Sequence, residues 1–335
     1  MKAFEENSHG HCPSPQNRRW FLATCLSIAA ASALPRQSPG DVNHTAINAA
    51  WYRSHRRYAE LSMCCTAYVE SGRGPAALFL HGYPLNGYQW RGALERLRTH
   101  RRCIAPDVMG LGYTQVPESQ TITPETQVEM LAAFLDALHV DKVDLVGNDS
   151  GGLLSQLFIA RYPERVRTLL LTNCDVDENN PPPGFLPFAD LAQKGEFVDR
   201  VIVPEFNDKR IARSAQGLGG LTYTWPDRFQ DETIEIYLRP MVETPLKKAQ
   251  ANAYAAALAA NVLVPVRDRL RAWRGPARMV WGLKDTLFPV QWADWLDKTL
   301  PGSRGVRRIE EANLFFPEEM PDVIAEEALL LWSRW

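Results

Sequence analysis

The stretch that leaves this chain the fewest options is Leu145-Val146-Gly147-Asn148-Asp149-Ser150-Gly151-Gly152. Apolar residues before it read as the end of a strand, and the residues from Leu153 to Tyr162 read as a helix, so the chain must turn sharply from one into the other. The residue at the tip of such a turn sits in strained φ/ψ, and anything larger than glycine two positions away would clash. Gly147 and Gly151 flank Asp149 at that spacing. Placing Ser150 at the tip instead would put Asn148 and Gly152 at the flanks, a poorer fit. The helix N-terminus behind the tip favours a negatively charged side chain there. Stripped of chemistry, the same pattern is a glycine-rich connection between a strand and a helix.

The rest of the chain alternates strand and helix. Tyr58 to Val69 reads as two short strands joined by a turn, and Gly72-Arg73-Gly74-Pro75 is punctuation. Ala76 to Leu80 is a continuous apolar run, as expected of a strand buried on both faces. Arg102–Ala105, Lys142–Val146 and Val166–Thr172 are further strands, and one more closes at Val280-Trp281. Thr123 is an N-cap with Pro124 at the first helical position, and Val128, Leu131, Phe134, Leu135 and Leu138 keep helical spacing behind it. The pattern predicts an α/β fold: a mostly parallel sheet with helices on both faces. Between Asp177 and Val264 it breaks. Pro181-Pro182-Pro183-Gly184 opens a linker, and helical pieces follow that are interrupted by prolines and glycines. This region is expected to be a helical insertion after the sixth strand, residues 178–264, within a core of 58–177 and 265–335.

A length of 335 residues suits one large domain with an insertion. With 37 basic and 39 acidic residues the net charge is −2, which offers no general attraction to nucleic acid or an anionic membrane. The 45% apolar content excludes a disordered or collagenous chain and is enough for a sizeable core.

Asn17-Arg18-Arg19-Trp20-Phe21-Leu22 is followed by a moderately apolar run to Ala33 that ends in Ala31-Ser32-Ala33. The run is too short to span a bilayer. The pattern resembles a twin-arginine signal peptide over residues 1–33, with Asn17 where Ser or Thr is usual and no Lys after Leu22. Export of a folded protein to the periplasm or exterior is expected, with 34–57 as a linker and no membrane attachment after processing. Cys12 and Cys25 would leave with the leader. Cys64, Cys65, Cys103 and Cys174 are expected to be buried thiols. No CxxC spacing exists, and neither a metal nor a cofactor is expected.

Three further segments surround the turn: Leu80-His81-Gly82-Tyr83-Pro84, Ala105-Pro106-Asp107-Val108-Met109-Gly110-Leu111-Gly112 and Trp281-Gly282-Leu283-Lys284-Asp285 each follow a buried strand. In this order, from about Tyr58 to Trp335, the four motifs resemble the α/β-hydrolase superfamily. An aspartate at the tip is similar to its haloalkane dehalogenase and epoxide hydrolase branch. The resemblance implies that Asp149 is a nucleophile forming an alkyl ester and that the N–H groups of Ser150 and Tyr83 make an oxyanion hole. It implies that Asp285 is the acid that orients a histidine. Asp175 is the alternative acid position in part of the branch and otherwise a loop residue. The inserted region would be the cap, with Tyr223, Trp225 and Tyr254 as possible substrate contacts.

The chain departs from that branch at its general base. The catalytic histidine belongs in a segment that here reads Asn313-Leu314-Phe315-Phe316-Pro317-Glu318-Glu319-Met320-Pro321, with Leu314 in its place. The last histidine of the chain is His139. A general base supplies about a hundredfold to ten-thousandfold, so its loss alters the chemistry. His81 is expected to pack as a structural group, and His44, His55, His100 and His139 lie in exposed-looking stretches. Ser150 and Tyr83 stand where dehalogenases place the Trp and Asn that hold halide. The expected function is hydrolysis of a small, largely apolar epoxide or alkyl halide through Asp149, with impaired or altered turnover. The alternatives are a lyase or isomerase using the same pocket without a covalent intermediate, a non-catalytic ligand binder and, last, a carboxylesterase acting through Ser150.

Overall fold

A computed structural model describes residues 46–333, so the twin-arginine leader lies outside the described residues. Eight strands form one sheet: β1 (Arg57–Glu60), β2 (Cys65–Ser71), β3 (Ala76–Leu80), β4 (Arg102–Pro106), β5 (Val143–Asn148), β6 (Val166–Thr172), β7 (Ala277–Gly282) and β8 (Ser303–Ile309). Their order is β1-β2-β4-β3-β5-β6-β7-β8. β1 and β2 run antiparallel to their neighbours; every other pairing is parallel. The expected α/β sheet is present, and the boundaries of β3 and β6 coincide with the apolar runs that announced them.

The central strands are buried along their whole length, as a parallel sheet covered on both faces requires. Phe79, Trp90 and Trp281 are fully buried around it, each contributing about 2 kcal/mol relative to exposure. Within the stretch read as a linker, Ala49–Ser54 forms helix α1, capped by Asn48, and Tyr52 packs its ring into the core. The next helices are α2 (Arg91–Leu97), α3 (Pro124–Ala137) and α4 (Ser150–Arg161). α3 begins as its sequence predicts, with the Thr123 hydroxyl accepting the Thr126 N–H in a reciprocal capping box and Pro124 in the first turn.

Between β6 and β7 all the elements are helical, so the insertion follows the sixth strand. One cysteine reading needs correction. Cys64, Cys103 and Cys174 are free and buried, but Cys65 is disulfide-bonded. Burial on a strand does not preclude pairing, and spacing along the sequence cannot reveal a partner that is close only in the fold.

Candidate active site

The turn from β5 to α4 has Asp149 at its tip. Its backbone lies at φ 54° and ψ −130°, a region that non-glycine residues occupy only when their surroundings enforce it. The enforcement is visible at the flanking glycines. A Cβ on Gly147 would stand 2.4 Å from Ser155 Oγ, and one on Gly151 would stand 2.2 Å from Leu80 O. The Asp149 N–H donates to Asn173 O at the end of β6 (2.7 Å), which ties the tip to the neighbouring strand.

Two backbone donors converge on one carboxylate oxygen. Asp149 Oδ1 accepts the Tyr83 N–H at 3.0 Å and the Ser150 N–H. Both backbone donors hold Oδ1 and neither reaches Oδ2, and Asp149 keeps 9% of its surface accessible. Burial pushes its pKa up to about 7 against the pull of Ser150 and Tyr83, and the charge of Asp285 adds to the rise.

Aromatic side chains gather around Tyr83, whose N–H holds this carboxylate. The Tyr83 ring meets Tyr254 edge-on at 5.9 Å and packs against Phe185 and Phe197 from the insertion. Tyr254, on the helix Pro245–Ala257, is fully buried, and its hydroxyl has no hydrogen-bond partner among the described residues. The same holds for the Ser150 hydroxyl. Tyr254 feels the charges of Asp149 and Asp175. Asp175 is therefore no surface loop residue: it is buried, accepts from Asn180 Nδ2 (3.2 Å), and is held well above the ordinary carboxylate range by burial and by Asp149. The preceding Cys174, buried against Gly152, shares the site's carboxylate field.

The acid side is arranged differently. Asp285 Oδ1 accepts the N–H groups of Leu287 (2.8 Å) and Phe288 (3.3 Å), and Oδ2 accepts Asn173 Nδ2 (2.8 Å). Burial raises its pKa to about 6 against these three donors. Leu314 is 1% exposed, and its carbonyl accepts Asn148 Nδ2 at 3.1 Å. His81 is committed elsewhere. Its Nε2 accepts the Val108 N–H (3.1 Å), which leaves the proton on Nδ1 to donate to Gly82 O (3.0 Å). Burial lowers its pKa, so the ring is a neutral strut between two loops. His55, His100 and His139 are exposed.

Tyr223 and Trp225 line a separate cavity of about 200 Å³ with Arg91, Arg228 and Glu318. The Tyr223 hydroxyl donates to Glu318 Oε2 (2.7 Å), and the Trp225 N–H donates to Glu319 Oε1 (2.8 Å). Asn313 and Phe315 also bond to residues 222–224, so the insertion is stitched to the loop that carries Leu314. Sequence reasoning did not reach the unpartnered Ser150 hydroxyl or the burial of Asp175. A small polar residue after a strand looks the same whether it faces solvent or a pocket.

The sequence pattern of the alpha/beta hydrolase fold family matches residues 75–319. A 2-hydroxy-6-oxo-2,4-heptadienoate hydrolase from Pseudomonas putida is 51% identical over 82 residues, which are 24% of this chain and 30% of that protein. Haloalkane dehalogenase 2 from Mycobacterium tuberculosis is 26% identical over 285 residues, 82% of this chain and 93% of that one. The solved structure of an unliganded epoxide hydrolase superposes with a TM-score of 0.69 at 19% identity, covering 83% of this chain and 98% of the other, a likeness of fold.

Proposed function

Because the chain belongs to the alpha/beta hydrolase fold family, we propose that it is a hydrolase-fold enzyme acting on small, largely apolar alkyl electrophiles of the epoxide or halide class. Asp149 is the nucleophile and Oδ2 the attacking atom. One observation carries this reading: both backbone N–H groups hold Oδ1, which leaves the lone pairs of Oδ2 available to a substrate carbon. Attack forms an ester whose carbonyl oxygen is Oδ1, already placed between the two donors that would polarise it. Cleaving that ester needs a base to deprotonate water. Leu314 cannot serve, and Asp285, with a pKa of about 6, allows only slow assistance at neutral pH. The product of the first step therefore accumulates.

The test is intact-mass analysis after exposure to an alkyl electrophile. One equivalent of adduct is expected, mapped to Asp149, stable over hours and absent from Asp149→Asn. Sustained turnover without adduct would overturn the reading. A second reading draws on the raised pKa of Asp149, which suits a proton donor or acceptor in a lyase or isomerase step. Turnover of a substrate with no adduct at any time, abolished by Asp149→Asn, would favour it.

In the same proposal residues 178–264 act as a cap over the core, and the leader directs the folded protein along the twin-arginine route. Exchanging Arg18 and Arg19 for Lys should leave the precursor in the cytoplasm, as fractionation and immunoblotting would show.

A further inference from the structure

The cavity of about 200 Å³ between the insertion and the loop after β8 does not include Asp149 in its walls. Those walls are partly aromatic: Tyr223, Trp225 and Phe229, with Tyr223 and Phe229 stacked at 4.3 Å. Its two carboxylates are already satisfied. Glu318 pairs with Arg91 (2.7 Å) and accepts the hydroxyls of Tyr223 (2.7 Å) and Tyr237 (2.8 Å). Glu319 accepts the N–H groups of Trp225 and Thr224, each at 2.8 Å. Its donors are not satisfied. The 12-residue helix Asp231–Val242 opens here: Gln230 before it and Thr233 in its first turn both line the wall, and no side chain caps it. The first N–H groups of such a helix lack partners within it and carry partial positive charge. Thr233 is 5% exposed, and its hydroxyl has no hydrogen-bond partner among the described residues. Arg228 rests its guanidinium on the Trp225 ring, 4.4 Å from the centroid, and meets no carboxylate at ion-pair distance among the described residues. The acids of the helix's first turn are engaged elsewhere, Asp231 with Arg213 and Glu232 with Arg53 (2.9 Å), and Asp227 is exposed. Buried polar groups are nearly always paired, so an open hydroxyl at a helix N-terminus, beside an unmatched guanidinium, marks an acceptor that comes from outside the chain.

We propose that this cavity is a second ligand site, separate from Asp149, and that it binds a small aromatic monocarboxylate. The carboxylate sits at the start of the helix, with one oxygen on the Thr233 hydroxyl and the other on Arg228. The ring packs against Phe229 and Tyr223. The wall sets each part of that chemistry. The ligand is an anion because the unspent groups are donors with positive charge, while both carboxylates facing the cavity already accept hydrogen bonds on each oxygen. It carries one charge rather than two because Glu318 and Glu319 stand nearby. Burial, with Glu318 adding to it, already holds Glu319 above the ordinary carboxylate range, so a second ligand charge would meet repulsion that a single unmatched guanidinium cannot offset. It is aromatic because the apolar wall consists of rings, which stack on a planar partner. Such a ligand spans the seam between the insertion, which supplies Tyr223 and Trp225, and the loop beyond Leu314, which supplies Glu318 and Glu319.

The test titrates the protein calorimetrically with benzoate, and in parallel with benzamide and phenyl phosphate. One equivalent of benzoate should bind. Benzamide keeps the shape without the charge and phenyl phosphate adds a second charge, so each should bind about tenfold more weakly or worse. Arg228→Met and Thr233→Val should each weaken benzoate by about tenfold, the usual loss of one hydrogen bond to a charged group. Asp149→Asn should leave the benzoate affinity unchanged. A thermal melt without ligand shows that each variant is folded; Arg228 is exposed, so its variant serves if Thr233→Val folds poorly. No binding at millimolar benzoate, benzamide or phenyl phosphate bound as well as benzoate, or an affinity unmoved by either wall change in a folded variant overturns the site. An affinity altered by Asp149→Asn would put benzoate beside the nucleophile and overturns it too. None of these outcomes bears on the reading of Asp149, which stands or falls with adduct formation.

Discussion

At the end of β5 the polar groups are set for a guest. Two N–H groups hold one oxygen of Asp149 and leave the other to a substrate, and the hydroxyls of Ser150 and Tyr254 have no partner among the described residues. At the ends of β7 and β8 the polar groups are spent on one another. Both oxygens of Asp285 accept hydrogen bonds from the chain, Asn148 and Asn173 join the strands, and Leu314 is buried with its carbonyl bonded to Asn148. Asn173 is one of the donors that satisfy Asp285, at 2.8 Å. In the proposed reaction this separates two half-reactions, alkylation on the complete side and ester cleavage on the side that lacks its base.

The largest break in that comparison comes from the turn itself. Gly151→Ala sets a methyl 2.2 Å from Leu80 O, a backbone atom that cannot step aside. Destabilisation of about 3 kcal/mol or more is expected, because the relief must come from moving β3 against α4. Urea unfolding of the variant would measure it. A midpoint within error of the wild type would mean that the turn is looser than its contacts require.

The pH dependence comes next. Asp149 attacks only as the carboxylate, and with a pKa of about 7 its charged fraction falls about a hundredfold from pH 8 to pH 5. Adduct formation should fall with it, followed by stopped intact-mass time courses at constant ionic strength. The stability consequence has the opposite sign. A carboxyl raised above its unfolded value makes the native state bind the extra proton, so its contribution to stability is lost as pH rises from about 4 to about 7. Asp149→Asn removes that loss. Relative to the wild type it should gain stability with rising pH, by up to about 4 kcal/mol across the window. Parallel thermal melts that track each other from pH 4 to pH 8 would deny the shift.

Much of this was legible in the residues. Continuous apolar runs marked β3 and β6 to their ends, because a strand buried on both faces has no polar positions to blur its limits. The β5–α4 turn was legible because steric demand acts on immediate neighbours, and neighbours in sequence are visible. β8 was harder: it is the sheet's edge, only partly covered, and Arg304, Arg307 and Arg308 break its apolar pattern. The burial of Asp175, the unpaired hydroxyl of Ser150 and the donors on Asp285 all depend on what the fold brings up from distant positions. Tyr254 lies more than a hundred residues from Asp149, and no spacing rule connects them.

The smallest expected effect bears most directly on the acid side. Leu314→His would place an imidazole near the acid side, but into surroundings already closed. Asp285 Oδ2 is occupied by Asn173, which also receives the Gly282 N–H (2.7 Å) and donates to the Gly282 carbonyl (3.0 Å). The new ring must therefore compete for its orienting acid with a residue that the end of β7 needs. Leu314 is 1% exposed, so an imidazole there loses apolar packing and buries a polar ring, at a cost of about 1–3 kcal/mol. A well-placed base supplies about a hundredfold or more; one held by a contested acid should speed decay of the Asp149 adduct by about tenfold. The measurement is the half-life of purified adduct in variant and wild type, with a thermal melt to show that the variant is folded. Decay as slow as in the wild type, in a folded variant, would mean that the acid side is closed to an imidazole and not merely short of one. Decay in seconds would mean that Asn173 yields its place, and that residue 314 alone sets how fast the adduct is cleaved.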